Sequence, residues 1–344
     1  MQVEGPKEMT GGNDMIIMEF TLLGLFHHPE LQPLLFLAFL TIYILILMGN
    51  ALVILATVSD PVLRTPMYFF LQNLAFLEIC YTSVTIPKML ANLLLEKKTI
   101  SFSGCATQMY FFLFFGTTVC YLLAVISYDR FVAICNPLHY PVLMCRRLCL
   151  LLVSGCWVTG MSVSLGQTAL IYSVPFCGSN IINHFFCNVL LLVKLLCPDS
   201  RVNEVAKVLM NVLVIIIPFA LIVASYICIV TAILRIPSLD GKQKAIHTCF
   251  SHLVSVSLFY GSAIFRYLRL NSGYTSGMDK LLSLLYTVAP ALLNPVIYSL
   301  RNQQVKAALR KNGGLTQSFS KHVNVFSCEP LGITCPSLLL VMLV

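Results

Sequence analysis

The chain has 344 residues, of which 58% are apolar in type and only 10% are charged, and its mean hydropathy is +0.86. Ordinary soluble domains carry about 25% charged residues, so this chain has too little charge to cover the surface of a soluble protein. The composition excludes disordered, collagen-like and nucleic-acid-binding classes, and it predicts a polytopic membrane protein. The net charge of +8 suits cytoplasmic loops that face anionic membrane lipids.

Seven stretches are long and apolar enough to cross a bilayer, which requires about 20 residues. They run over Leu34–Val58, Met67–Leu90, Gln108–Tyr128, Leu148–Ile171, Ala206–Leu234, Ala245–Tyr267 and Leu281–Leu300. The sequence therefore predicts an all-α membrane protein, a seven-transmembrane helix bundle over residues 34–300. Residues 1–33 precede the bundle. The short basic segment 301–311 is typical of an amphipathic interfacial helix on the inner leaflet, and residues 312–344 form a cytoplasmic tail.

The orientation of the bundle follows from its cysteines. Lysine and arginine are almost equally divided between the two sides, so the positive-inside rule decides little. Four cysteines, however, fall at loops of one side: Cys105, Cys177, Cys187 and Cys197. Clustered loop cysteines fit an oxidising compartment, so we expect an extracellular N-terminus and a cytoplasmic C-terminus. The chain contains no N-x-Ser/Thr glycosylation site.

A carboxylic acid in the middle of the second span is a candidate functional group. Glu78 lies there within an apolar run, and ionisable residues inside membrane spans are costly. It must face the bundle interior, where Asn50 of span one and Asn294 of span seven are candidate hydrogen-bond partners. Two interpretations stay open: a polar switch or ion site, and a protonated acid that only cross-links helices.

The cytoplasmic end of span three carries adjacent opposite charges, Asp129 and Arg130. Such a pair either extends to the membrane surface or acts as a switch in which the arginine reaches a cytoplasmic partner. Pro218 in span five and Pro295 in span seven each remove a backbone donor and kink a helix. The kink at Pro295, near Glu78, is the better candidate for a moving part.

Several long segments together carry a family resemblance. In chain order they read PMYFFL at 66–71, SYDRFVAICNPLHY at 127–140, SY at 225–226, KAIHTCFSHL at 244–253, FYG at 259–261 and LNPVIYSLRN at 293–302. With these segments the chain resembles a rhodopsin-like G-protein-coupled receptor and, within that class, an olfactory receptor. The resemblance runs from about residue 19 to residue 311 and implies a multi-pass plasma-membrane receptor that is not an enzyme and needs no cofactor.

The resemblance also implies roles for individual residues. It pairs Cys105 with Cys187, and Cys177 with Cys197, over the mouth of the bundle. Tyr260 occupies the position of the receptor toggle residue. The residues of the activation switch and G-protein coupling would be Asp129, Arg130, Tyr226, Lys244, Asn294, Pro295 and Tyr298. The implied partners are a heterotrimeric G protein of the stimulatory olfactory type, which raises cyclic AMP, and membrane lipids; a receptor dimer stays open.

The chain departs from the family pattern at a few positions. Phe131 stands where tyrosine is usual, and Val119 stands where an acidic residue is usual. The segment from His184 to Cys187 resembles a proposed metal-binding motif, but Asn188 replaces its acid. We therefore expect no metal site.

The ligand pocket is expected between the outer halves of spans three, five, six and seven, below the outer loop. Helical spacing there selects Met109, Phe112, Leu113, Gly116, Thr117, Asn211, Tyr260, Ala263, Ile264, Tyr267, Leu284 and Thr287. Ordinary helix packing is the alternative interpretation for each of them. The set is apolar with a few hydroxyls, one amide and no carboxylate, which favours a small, neutral, volatile or lipophilic ligand with one hydrogen-bonding group.

Other functions are less consistent with the sequence. A retinal pigment needs a lysine inside span seven, and Lys280 is expected only at its outer edge. A membrane hydrolase needs a clustered nucleophile or metal site, and the seven histidines are scattered. A ligand-gated channel is the strongest alternative outside the receptors, although the sequence lacks charged pore rings. A poorly exported receptor-like product is a further alternative.

Overall fold

The structure is a computed structural model that describes residues 18–24, 29–177, 179–197, 210–269 and 276–297. Seven long helices follow one another, as the apolar stretches predict. They are α1 (Gln32–Ser59), α2 (Pro66–Leu94), α3 (Phe102–Cys135), α4 (Arg146–Tyr172), α5 (Ile217–Arg235, preceded by a π-helical segment Met210–Ile216), α6 (Leu239–Arg269) and α7 (Ser276–Pro295). The predicted segments 301–311 and 312–344 and most of 1–33 lie outside the described residues.

The helices extend beyond the predicted apolar spans. Helix α3, for example, begins at Phe102, where the Ser101 hydroxyl accepts a hydrogen bond from the Gly104 N–H at 3.1 Å. Helix α6 begins at Leu239, so residues 239–244, which the sequence places in a loop, are helical. Among the described helices, α1 to α5 are long and apolar enough to cross a membrane, whereas the apolar stretch of α6 is the shorter Cys249–Gly261.

Helix α5 is preceded by a π-helical segment just before Pro218, where the sequence predicts a kink. That segment ends at Ile216, immediately before the proline. In a π-helix the carbonyl of Leu213 would accept from the N–H five residues later, but Pro218 has no N–H. The Tyr121 hydroxyl of α3 donates to this carbonyl at 2.9 Å. A side chain of one helix therefore satisfies a backbone group freed in its neighbour.

A small sheet, absent from the all-helical prediction, covers the end of the bundle that carries the loop cysteines. Its strands are β1 (Glu19–Leu22), β2 (Thr99–Ser101) and β3 (Ile181–Ile182), in the order β2-β1-β3. Strand β1 is antiparallel to β2, with Phe20 opposite Ile100, and parallel to β3. Alternate side chains of β1, Phe20 and Leu22, are fully buried.

Burial in the bundle follows the pattern of a membrane protein. Polar side chains such as Asn50, Glu78 and Asp129 are buried, whereas many leucines and isoleucines along α1 and α5 are exposed. A soluble protein of this size would cover its surface with charge instead. The exposed apolar faces therefore belong against lipid, and the polar groups lie between the helices.

Candidate functional site

Glu78 belongs to a buried hydrogen-bond network that joins three helices. The Asn294 amide of α7 donates to Glu78 Oε1 at 2.9 Å, and the Ser255 hydroxyl of α6 donates to Asn294 Oδ1 at 2.7 Å. All three side chains are buried. The predicted contact between Glu78 and Asn294 is therefore present, while Ser255 is a member that the sequence reasoning missed.

Asn50 has a different partner from the one expected. Its amide donates to the carbonyls of Ile46 at 2.9 Å and Ala291 at 3.0 Å, and not to Glu78. The Ala291 carbonyl lies four residues before Pro295, which has no N–H to donate to it. Asn50 of α1 supplies the missing donor. A Cβ added to Gly49 would lie 3.2 Å from Pro295, so α1 and α7 approach closely at this kink.

The charged pair at the end of α3 is buried, so the interpretation in which it extends to the membrane surface is wrong. Arg130 Nη2 lies 2.6 Å from Asp129 Oδ2, and both side chains are almost inaccessible to solvent. The Tyr140 hydroxyl, on a one-turn helix between α3 and α4, donates to Asp129 Oδ1 at 2.7 Å. Burial and the neighbouring Asp129 carboxylate raise the pKa of Tyr140, which keeps the phenol a donor.

A second polar contact at this end joins α3, α5 and α6 through His252. Its Nε2 lies 3.1 Å from the Leu123 carbonyl, and its Nδ1 lies 2.8 Å from the Tyr226 hydroxyl. Because a carbonyl only accepts, Nε2 carries the proton, and Nδ1 accepts from tyrosine. Tyr226 was predicted, but His252 was only one of seven scattered histidines. Its position on an apolar helix is the signal that could have identified it.

Two of the predicted switch residues cannot be placed in this network. Lys244 lies in α6, but its side chain is not among those described, and Tyr298 lies outside the described residues. Asp129, Arg130, Tyr226, Asn294 and Pro295 are all in the described part of the chain, at the positions given above.

Part of the predicted ligand pocket lies in the bundle interior. Met109, Leu113, Thr117, Tyr260 and Thr287 are buried. The Tyr260 hydroxyl donates to the Cys120 carbonyl at 3.4 Å, and the Thr287 hydroxyl donates within its own helix. The Thr117 hydroxyl, in contrast, has no hydrogen-bond partner among the described residues. Of the described members of this set, it offers a polar atom to a ligand.

Three other predicted pocket residues pack on neighbouring helices. The Phe112 ring lies 4.8 Å from the Tyr81 ring of α2, and a Cβ on Gly116 would lie 3.3 Å from the same ring. Leu284 packs against an apolar cluster of α1 and α2. Helical spacing identified a face of α3, but it does not predict which neighbouring helix this face packs against. The side chains of Asn211, Ala263, Ile264 and Tyr267 are not among those described.

The loop between α4 and α5 is fastened to α3 by a disulfide and contacts α7. Disulfides join Cys105 to Cys187 and Cys177 to Cys197, the two pairs that the resemblance implies. The Cys187 N–H also donates to Gln108 Oε1 at 3.0 Å. His184 Nε2 lies 3.0 Å from the Ser283 hydroxyl of α7. The described residues hold no group of three or more His, Cys, Asp or Glu side chains placed to bind a metal ion.

Comparison with known proteins gives a consistent picture. A sequence profile of the family described as olfactory receptor matches residues 39–313. Human olfactory receptor 10A7 is 49% identical over 314 residues, which are 91% of this chain and 99% of the relative. Human olfactory receptor 10C1 is 51% identical over 87% of this chain and 96% of its own length.

A solved structure supports the fold. The crystal structure of squid rhodopsin is similar with a TM-score of 0.67 at 19% identity, covering 84% of this chain and 87% of that one. At this identity the likeness concerns the fold alone. Together with the extensive sequence identity to the human receptors, it shows that the chain belongs to the olfactory receptor family of rhodopsin-like G-protein-coupled receptors and is a multi-pass plasma-membrane protein.

Proposed function

We propose that this receptor binds small, lipophilic, uncharged odorants inside the helix bundle and activates a heterotrimeric G protein of the stimulatory olfactory type, which raises cyclic AMP. The family comprises signalling receptors and not enzymes. The observation that carries the proposal is the buried Arg130, held by Asp129 at the end of α3 opposite the disulfides. An arginine held inside the protein by a neighbouring acid can be released to a partner when helices move.

The ligand site of the proposal lies around Thr117. Its buried hydroxyl has apolar neighbours on α3, including Leu113, and Tyr260 lies on the facing helix α6. A small apolar ligand with one hydrogen-bonding group would satisfy this hydroxyl. No acid among the described residues lies in this set, so an amine would find no counter-ion there. The proposed ligand is therefore neutral.

Transmission to the other end of the bundle runs through α6. Hydrogen bonds to neighbouring helices hold this helix, among them those of Ser255 with Asn294 and of His252 with Tyr226 and Leu123. A ligand that binds better when α6 is displaced shifts the population towards that arrangement. Arg130 then becomes accessible to the C-terminal helix of a G protein. The family resemblance assigns Lys244 and Tyr298 to the same coupling site.

The membrane orientation belongs to the same proposal. We place the end with the sheet and both disulfides outside the cell, since disulfides persist in oxidising compartments. The G protein then meets the end that carries Arg130 and Tyr140. Residues 301–311 would lie as a basic helix on the inner leaflet, and residues 312–344 would form the cytoplasmic tail.

A cyclic AMP reporter assay tests the proposal. The receptor is expressed with the olfactory-type G protein and challenged with a panel that includes alcohols, esters and amines. We expect a response to neutral odorants that Arg130→Ala abolishes while surface staining is retained. Arg147→Ala is the control, because Arg147 is an exposed arginine on the same side of the bundle. A full response by Arg130→Ala, or a response to amines alone, would contradict the proposal.

A further inference from the structure

Lys280 lies near the outer end of α7, where the sequence places it, but it is buried. Helix α7 begins at Ser276, so Lys280 is in the second turn, and its side chain is only 3% exposed. Spacings of three and seven residues place Lys280, Ser283 and Thr287 on one face of the helix. Ser283 and Thr287 are also buried. A lysine therefore belongs to the polar inner face of α7.

The loop that covers the bundle meets this face at Ser283. His184 Nε2 lies 3.0 Å from the Ser283 hydroxyl, and the His184 ring packs on Phe185 and Phe186 at centroid distances of 4.5 and 4.7 Å. Lys280 precedes Ser283 by three residues, about 4.5 Å along the helix axis. Lys280 therefore lies one helical turn from the contact between α7 and the aromatic loop segment, on the same face of the helix.

Among the residues that the structure describes, none forms an ion pair with Lys280. In the described part of the chain, the one ion pair is that of Arg130 with Asp129. Lys88, by comparison, donates to the Thr99 carbonyl at 2.8 Å. A buried ammonium without a paired charge is costly, and the cost falls when an anion with good hydrogen-bond geometry is placed beside it. A bound anionic ligand could therefore supply the negative charge beside the Lys280 ammonium.

We propose that Lys280, with Ser283 and His184 beside it, forms a subsite for the carboxylate of a small fatty-acid-like ligand. The carboxylate pairs with the Lys280 ammonium and accepts a hydrogen bond from Ser283 or His184. The alkyl chain lies along the inner face of α7 towards Thr287. The inference extends the proposed function, since it adds carboxylates to the neutral ligands. Binding at the subsite is independent of G-protein coupling.

Thermal unfolding of the purified receptor tests binding directly. Straight-chain carboxylates from butanoate to decanoate are compared with the alcohols of equal chain length. We expect the carboxylates to raise the melting temperature of the wild-type receptor, Lys280→Met to remove this shift, and Lys280→Arg to keep it. Lys97→Met is the control, because Lys97 is an exposed lysine at the same end of the molecule. The absence of a carboxylate shift in the wild type, or an equal shift in Lys280→Met, would overturn the subsite.

Dose–response curves in the cyclic AMP assay give the second readout. Lys280→Met should weaken the response to carboxylates by about tenfold to a hundredfold, the loss of a charged hydrogen bond, and leave the response to neutral odorants unchanged. An equal loss for acids and neutral odorants would count against the subsite. A carboxylate melting shift that depends on Lys280, in a receptor that gives no cyclic AMP, would refute the signalling proposal and leave the subsite standing.

Discussion

At the scale of single residues, Asn294 joins two buried partners, Glu78 and Ser255. Asn294→Ala removes the donor to Glu78 and leaves that carboxyl oxygen buried without its amide partner, whereas the Ser255 hydroxyl keeps the Ser251 carbonyl at 3.2 Å as an acceptor. We expect a loss of about 1–3 kcal/mol in the free energy of unfolding, from one unsatisfied buried group. Thermal unfolding in detergent measures it.

A matched asparagine provides the control for this prediction. Asn73 of α2 donates only to the Phe69 carbonyl of its own helix, at 2.8 Å. Asn73→Ala should therefore lower the melting temperature much less than Asn294→Ala. Equal effects of the two substitutions would show that the network with Glu78 contributes nothing beyond an ordinary buried amide.

His252 and Tyr226 should behave as a coupled pair. His252→Phe and Tyr226→Phe each remove their shared hydrogen bond of 2.8 Å, so the double variant cannot lose it twice. We expect the two effects on unfolding to fall short of additivity by about 0.5–1.5 kcal/mol. A double-mutant cycle on purified receptor measures this coupling free energy. Strict additivity would show that the hydrogen bond contributes nothing to stability.

Thr117 is predicted to bind the hydrogen-bonding group of a neutral odorant. Thr117→Val keeps the shape and removes the hydroxyl, so the half-maximal odorant concentration should rise about threefold to tenfold. Thr118→Val is the comparison, because the Thr118 hydroxyl already donates to the Phe114 carbonyl at 2.7 Å. Unchanged potency in Thr117→Val would remove Thr117 from the ligand site.

Sequence reasoning succeeded where a residue is conspicuous in its own segment. Glu78 and Asn294 are polar within apolar runs, and their contact was expected. It failed where the partner is decided by tertiary packing: Asn50 turns to the carbonyl freed by Pro295, and Phe112 turns to α2. The burial of Lys280 was not predicted, because hydropathy does not show towards which neighbour a side chain at the end of a helix is directed.

At the scale of helices, the contact of α3 with α4 depends on Gly160. A Cβ at this position would overlap with Oγ1 of Thr118 and lie 3.0 Å from the Phe114 carbonyl oxygen. Gly160→Ala must therefore separate the two helices, and we expect it to cost about 1–3 kcal/mol of stability.

Gly155 in the same helix gives the contrast. A Cβ there would meet nothing within 4 Å, so Gly155→Ala should be neutral, or stabilise the helix by up to about 1 kcal/mol through its higher helix propensity. Relative to the wild type, Gly160→Ala should thus lower the melting temperature, whereas Gly155→Ala should leave it unchanged or raise it. Indistinguishable values would mean that α3 and α4 adapt to the added methyl group.

Hydropathy predicts that helices exist better than it predicts their ends. Apolar stretches located all seven helices, because lipid selects for them along the whole span. Charged turns such as the one at Asp240 and Lys242 continue α6 past the apolar region, where hydropathy gives no signal. The small sheet was missed because strands of two to four residues have no periodicity, and their partners are remote in the chain.

At the scale of the whole molecule, the two disulfides should contribute unequally. The Cys105–Cys187 bond spans 82 residues and Cys177–Cys197 spans 20. Loop-closure entropy grows with the logarithm of the loop length, so removing the longer bridge should cost about 1 kcal/mol more. Replacing each pair by serines and comparing the unfolding of the two variants tests this. A larger loss from the shorter bridge would refute the entropic account.

The central place of β1 in its sheet has a consequence for biosynthesis. This strand is made early, yet its pairing of Thr21 with Ile181 waits until the first four helices have been translated. Ribosomes add about 5–20 residues per second, so the delay is about 10–30 seconds. Throughout that interval Phe20 and Leu22, both fully covered in the finished molecule, are available to chaperones. The nascent receptor is thus expected to expose an apolar segment until the loop between α4 and α5 has been synthesised.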